Sequence, residues 1–409
     1  MSAEPESTDP ARGGTVRRDT PVRLRQIRAH AHASRLLRPF VTAQRRTEAV
    51  AYVVVDVELD DGARGQGSAA ETVAVTGESA ETILAAVNGP IAAALTDAEG
   101  TPDELASLAR QAVDGGTGGT GAARSGGAGA ARTAHTSSAR SAVDVAVHDA
   151  LARSLGVPLV ELLGADRGVR LDRDAALASD MTVSLEDPAT MAQRARQAVA
   201  DGYSILKIKL GRDPEADRER LAAVAEAAPG VRLRIDANQG WTPEQAVRVL
   251  ESFAADGLPI DLVEQPVARE DLAGMARVRA ASPVPIMADE SVWGADDARR
   301  IVEAGAADML NIKLAKTGSL GEALAVADVA AEAGLACMVG AMMEPRIGIA
   351  AGAHLAFAHP AVTMVDLDPP AWFASPLPAG GFCDDGQLRL TGGPGLGLDR
   401  LEEGVDRGD

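Results

Sequence analysis

The chain has 409 residues, 40 Lys and Arg against 59 Asp and Glu, a formal net charge of −19, and two cysteines. That length can bury the core of two domains, or of one barrel with an elaboration, and the acidic balance argues against nucleic acid or an anionic membrane as the main partner. Cys337 and Cys383 form no disulfide framework and lack metal-ligand spacing, so a soluble protein in the reduced cytoplasm is expected; no apolar run reaches the roughly 18 residues of a membrane helix.

Residues 1–20 are polar and charged and read as a disordered leader. Arg17-Arg18 is followed by Asp19, Arg23, Arg25 and Arg28 where an export signal would need an apolar run. From Val22 to about Leu95 the pattern is β-like, clearest over Ala51–Leu59, and Asp60-Asp61-Gly62 predicts a hairpin turn. Apolar residues at helical spacing predict helices over Ala80–Ala112 and Ala139–Leu163. Between them a Gly-, Ala-, Ser- and Thr-rich stretch within 113–136 cannot build a core and reads as a flexible insertion. Beyond the last barrel unit, residues 371–409 are Gly- and Pro-rich, with one strand-like piece at Gln387–Leu390 and a solvated acidic end.

After Asp180 the chain becomes periodic. Short apolar runs ending in polar residues recur about every 23 to 30 residues, from Met181-Thr182-Val183 to Val365-Asp366-Leu367-Asp368, and Ala-rich amphipathic segments such as Pro243–Ala255 and Ala295–Ala304 fill the gaps. Eight such units predict an α/β fold, a (β/α)-barrel whose polar strand ends share one face. In order they supply Lys207 and Lys209, then Asp236, Glu264, Asp289 and Lys313.

Those lysines stand out because the chain has only four, Lys207, Lys209, Lys313 and Lys316, and every other fixed cation is arginine. Arginine serves wherever a generic charge suffices; only lysine can release its proton near neutral pH. Three carboxylates on consecutive strand ends suit a hard divalent cation, Mg²⁺ above others. Flanking amines could then remove and return the α-proton of a carboxylate held there, through an enediolate that needs a nearby cation. The like charge of Lys207 is expected to lower the pKa of Lys209. The competing reading is a set of structural ion pairs at a barrel rim, in a protein that only binds.

Lys207-Ile208-Lys209, Asp236-Ala237-Asn238, Val263-Glu264-Gln265-Pro266, Asp289-Glu290-Ser291 and Asn311-Ile312-Lys313 resemble the enolase superfamily, in its muconate-lactonizing subgroup, and Ala139–Ala146 resembles that subgroup's capping-domain helix. The resemblance implies a (β/α)7β modified TIM barrel over 166–370, capped by an α+β domain over 21–165, with 371–409 packing back on the cap. It implies Mg²⁺ on Asp236, Glu264 and Asp289, acid/base catalysis by Lys209 and Lys313, and a supporting role for Lys207. Asp366-Leu367-Asp368 resembles the Asp-x-Asp pair of the dipeptide epimerases, where two carboxylates meet the substrate's free amine. Arg38–Arg45 resembles the mobile cap loop of the L-Ala-D/L-Glu epimerases, which implies substrate contacts for Phe40 and for Arg45, or Arg46 beside it. Thr76-Gly77-Glu78-Ser79 resembles their second cap loop, and Thr182 a substrate-contacting threonine. Gly340-Ala341-Met342-Met343-Glu344 departs from the Gly-Ser-Met-Ile-Glu those enzymes often carry, which places Met343 and Glu344 against the substrate and bears on which dipeptide fits. The implied activity is Mg²⁺-dependent dipeptide epimerisation serving peptidoglycan-peptide salvage. An N-acylamino-acid racemase, an o-succinylbenzoate synthase or a muconate cycloisomerase of the same subgroup is the alternative, and a homo-oligomer is the expected assembly.

Overall fold

The computed structural model describes residues 16–115, 136–211, 213–375 and 377–401. The acidic end from 402 and most of the expected leader and Gly-rich insertion lie outside the described residues. Val16–Thr20, the described end of the leader, is a turn in which Arg17 pairs with Asp19 and Arg18 reaches Asp103 on the cap.

The N-terminal part is an antiparallel sheet. β1 (Val22–Val41) pairs with β2 (Arg46–Leu59), β2 with β3 (Arg64–Ala70) through the turn at Gly62, and β1 with the short β4 (Glu99–Gly100). The β-like reading to Leu95 overran, because helix begins at Ala80 with Ser79 as its cap. The single helix expected over Ala80–Ala112 is broken at Gly89-Pro90, where the backbone leaves helical angles and the ring removes a donor, and a new helix starts at Pro102 and ends at Gly115. The second expected helix runs Ser137–Ser154 and ends before Gly156, whose φ is +70°; a short helix, Leu159–Leu163, follows Pro158.

Helix Ser137–Ser154 is buried along nearly its whole length. Its Ala- and Ser-rich face admits the backbone of β3: a Cβ on Gly65 would lie 2.1 Å from the Ala146 carbonyl oxygen, and one on Gly67 1.9 Å from that of Ala142. Asp144 accepts from Leu320 N at the head of a barrel helix, so this helix ties cap to barrel.

β5 (Leu177–Ala178) precedes eight parallel strands, each paired with the next. They are β6 (Met181–Val183), β7 (Ile205–Lys209), β8 (Arg232–Asp236), β9 (Ile260–Glu264), β10 (Ile286–Ala288), β11 (Met309–Ile312), β12 (Ala336–Gly340) and β13 (Val362–Asp366). The helix Pro243–Ala255 has the bounds its periodicity predicted and opens on a Thr242/Gln245 capping box. No ladder joins β6 to β13 among the described residues; the seam is spanned by the Asp368 carboxylate, which accepts from Thr182 N at 2.8 Å. The barrel's lower interior is packed by Leu262, Met287 and Met338, with Met309 and Met364 against them.

β14 (Phe382–Asp384) and β15 (Gln387–Leu390) add to β5 as a small sheet. The chain around them meets the cap at Ala374 N to Arg35 O, Leu396 N to Asp149 and Leu401 N to Gln66. Among the described residues no helix is long and apolar enough to cross a membrane.

Candidate active site

Strand alternation turns Lys207, Lys209, Asp236, Glu264 and Asp366 into the barrel mouth, with Asp289, Lys313 and Asp368 at the residues just past their strands. All eight are buried. Lys207 Nζ lies 2.6 Å from Asp366 Oδ2, 2.7 Å from Glu264 Oε2 and 3.2 Å from Asp236 Oδ2. Lys209 Nζ donates to Asp236 Oδ2 at 2.6 Å, and Lys313 Nζ to Asp289 Oδ2 at 2.7 Å with Glu264 Oε1 3.9 Å away. Burial works against the charge of Lys207 and Lys313, but their carboxylate neighbours outweigh it and hold both pKa values above the usual lysine value. The sequence showed the like charges, and the fold sets carboxylates between them.

The residues needed to hold these groups were mostly missed. Lys316, fully buried, donates to the Asp289 carbonyl, to Asp289 Oδ1 at 2.5 Å and to Asn311 O at 3.2 Å. Its rarity was the available signal. Gln265, at φ +37°, accepts from Asp289 N at 2.9 Å and Ser291 N at 3.1 Å, while Asn311 Nδ2 donates to Glu264 Oε1 at 2.9 Å. Below them a buried pair, Arg234 and Asp180, sits 2.7 Å apart, and the same Arg234 nitrogen donates to Val365 O at 3.0 Å, fixing the strand just before Asp366.

As arranged, each metal-candidate carboxylate is turned onto a lysine, and no three His, Cys, Asp or Glu side chains among the described residues stand together as a metal cluster. The donor chemistry nonetheless fits a hard cation. Glu264 Oε2 touches Lys207 only as a charge, without an aligned hydrogen bond, and Glu290 Oε2, Asn238 Oδ1 and Asn311 Oδ1 are further buried oxygens with no partner.

A cleft of about 680 Å³ opens over this floor, lined by the three lysines, Asp289, Asp366, Asp368, Thr182, Phe40, Arg45 and Met343 among others. Glu344 is not in that lining: its Oε1 accepts from Met342 N at 3.2 Å beneath its own loop, and burial raises its pKa to about 7. Arg46 is exposed and paired with Glu48, so of the two arginines Arg45 faces the cleft. The segment expected to be a mobile loop is largely strand: Phe40 and Val41 pair with Thr47 and Arg46, Val41 N donates to Ser184 Oγ, and only Thr42–Arg45 forms the turn. From that turn Gln44 Nε2 donates to Asn238 O at 2.9 Å, bridging the mouth.

The two carboxylates of Asp366-Leu367-Asp368 differ. Asp366 is held charged: burial opposes ionisation, but Lys207 and its fellow lysines depress its pKa well below the usual range. Burial and the adjacent Asp366 raise Asp368 to about 6. Its Oδ2 accepts from Thr182 N and, at 3.0 Å, from Trp372 Nε1, a buried indole on which Phe40 packs edge-on and Arg38 stacks at 4.0 Å. If Asp368 receives a cationic substrate group, kcat/KM should fall as pH drops through about 6. Trp372→Phe removes a donor that favours the carboxylate, so the midpoint of that pH profile should move upward and KM should rise several-fold, about 1 kcal/mol, with kcat little changed.

An eight-stranded barrel with an antiparallel cap sheet and lysines facing carboxylates over its mouth defines a class. The chain belongs to the mandelate racemase / muconate lactonizing enzyme family of the enolase superfamily: the family's N-terminal domain matches residues 26–164, and the enolase C-terminal domain-like family matches 190–404. Among its relatives, the L-Ala-D/L-Glu epimerase of Clostridium acetobutylicum is 38% identical over 90% of this chain and 96% of that one. The substrate-liganded L-Ala-D/L-Glu epimerase of Bacillus subtilis superposes with a TM-score of 0.81 at 33% identity, over 92% of this chain and 98% of its own. The dipeptide epimerase of Enterococcus faecalis, in complex with Mg and L-Leu-L-Tyr, superposes at 0.79 with 33% identity, over 92% and 100%.

Proposed function

We propose that the protein is a Mg²⁺-dependent dipeptide epimerase, an isomerase inverting the α-carbon of the C-terminal residue of L-Ala-L-Glu or a close relative, in the cytoplasm and in the service of peptide salvage. The observation that carries the reading is the pairing of Lys209 and Lys313, brought to one cleft from β7 and from the end of β11, with two carboxylates at the seam between β13 and β6.

Asp236, Glu264 and Asp289 would hold Mg²⁺, which when bound supplies positive charge for the substrate carboxylate and the enediolate. One lysine, as the free amine, takes the α-proton; the C–H electron pair passes into the carboxylate system; the other lysine, as ammonium, returns a proton to the opposite face. Lys207 adds fixed positive charge beside them. Asp368, with Asp366, receives the substrate's free ammonium, and Arg45 the side-chain carboxylate. An N-acylamino-acid racemase, o-succinylbenzoate synthase or cycloisomerase has no substrate ammonium to place at Asp368.

Incubation with L-Ala-L-Glu and Mg²⁺ in D₂O should exchange the α-proton of the glutamyl residue and produce the diastereomer, and EDTA should stop both. If no dipeptide exchanges while an N-acylamino acid does, the substrate assignment fails; if nothing exchanges, the enzymatic reading fails.

A further inference from the structure

A second cleft lies against the first. It is bounded by the start of β2 from Arg46 to Ala51, by residues between Glu71 and Ala74, and by Met343, and it measures about 620 Å³ against about 680 Å³ for the catalytic cleft. Arg45, Ala74 and Met343 line both, so they form the shared wall.

The charges of this side cleft are accounted for, with one exception. Arg46 donates to Glu48 at 3.0 Å, and Glu71 accepts from Ala80 N at 3.1 Å. Arg45 has no carboxylate partner among the described residues, and burial alone acts on its guanidinium, lowering its pKa. The rest of the lining is small and largely apolar, Ala49, Val50, Ala51, Val73 and Ala74, with Val73 57% exposed at the rim. An unmatched cation thus stands in a wall with a largely apolar cleft behind it.

We infer that the side cleft is a subsite for the side chain of the epimerised residue, and that it admits carboxylate-ended side chains longer than glutamate. The inference rests on the dipeptide-epimerase reading. Glutamate meets Arg45 from the catalytic side. A longer chain passes Ala74 and Met343, lays its methylenes against Ala49, Ala51 and Val73, and meets the same guanidinium from beyond.

The test is a substrate series, L-Ala-L-Glu, L-Ala-L-2-aminoadipate and L-Ala-L-2-aminopimelate, followed by α-proton exchange. In a closed pocket two surplus methylenes would cost on the order of 10²-fold in kcat/KM. With the side cleft in use, the two longer substrates stay within about tenfold of L-Ala-L-Glu. Ala49→Trp, which fills the side cleft from an exposed strand position, should lower kcat/KM for 2-aminopimelate at least about tenfold relative to L-Ala-L-Glu. Exchange of the glutamyl dipeptide with hundredfold rejection of the longer ones overturns the inference, as does an unchanged ratio in Ala49→Trp. The wild-type series decides on its own if that variant does not fold. Failure of every dipeptide, L-Ala-L-Glu included, counts against the parent reading instead.

Discussion

Lys209→Arg is expected to leave the fold and its charge balance intact while lowering epimerisation by at least about 10³-fold. The guanidinium keeps a cation beside Asp236, to which Lys209 donates at 2.6 Å, so thermal stability should change little. What it lacks is a proton it can give up, since arginine stays charged throughout the working pH range. The defect should also be one-sided. Lys313 is untouched, so the diastereomer whose α-proton faces Lys313 should still exchange that proton with D₂O, while the other should not. Lys313→Arg should show the mirror pattern. Two-way turnover by either variant, measured by NMR on separate diastereomers, would show that the lysines are counter-ions of the carboxylates, which is the rim-ion-pair alternative.

The second large effect is expected at Asp366→Ala. Its carboxylate is bound to Lys207 at 2.6 Å, so its removal acts twice. It takes one of two anions from the position proposed for the substrate ammonium, and it leaves Lys207 leaning on Glu264 and Asp236 alone, two of the proposed metal ligands. Loss of one partner of a buried charge pair costs about 2 to 5 kcal/mol, roughly 30-fold or more in kcat/KM. The Mg²⁺ concentration for half-maximal activity should shift in the same variant, because Lys207 then competes harder for the ligand oxygens. A variant that is slow only with free-amine substrates and unchanged in Mg²⁺ dependence would confine Asp366 to amine binding.

The barrel was legible because its period is written in chemistry: β7 to β11 and β13 each close on a residue the site needs, and of β7 to β13 only β12, which ends in Gly340, lacks such an ending. The lysines were legible because arginine had taken every other cationic post. The arrangement among them was not. Sequence shows that Lys207 and Lys209 share a strand face, and only the fold shows that Lys207 spans three carboxylates, which turns its pKa upward. Lys316 counted as a chemical lysine in sequence, yet it props Asp289 from below. Glu344 lay in a loop that does reach the cleft, but one further residue of backbone carries its side chain underneath. Trp372 and Arg234 carry no local signal, because their partners, Asp368 and Asp180, lie across a turn and two strands away in the barrel.

The seam between β6 and β13 gives the barrel a hinge line. Elsewhere each strand is locked to its neighbour by a ladder, and parting two strands would break several backbone bonds at once. Here the crossings described run through side chains, from Thr182 N to Asp368 and, through Arg234, from Asp180 to Val365 O, and Asp368 is also the group proposed to grip the substrate. The wall can therefore yield by small amounts at the one place where a ligand pulls on it, without loosening the floor that holds the lysines. Amides of Met181–Val183 should exchange with solvent faster than those of Ile205–Lys209, and a bound dipeptide should slow them.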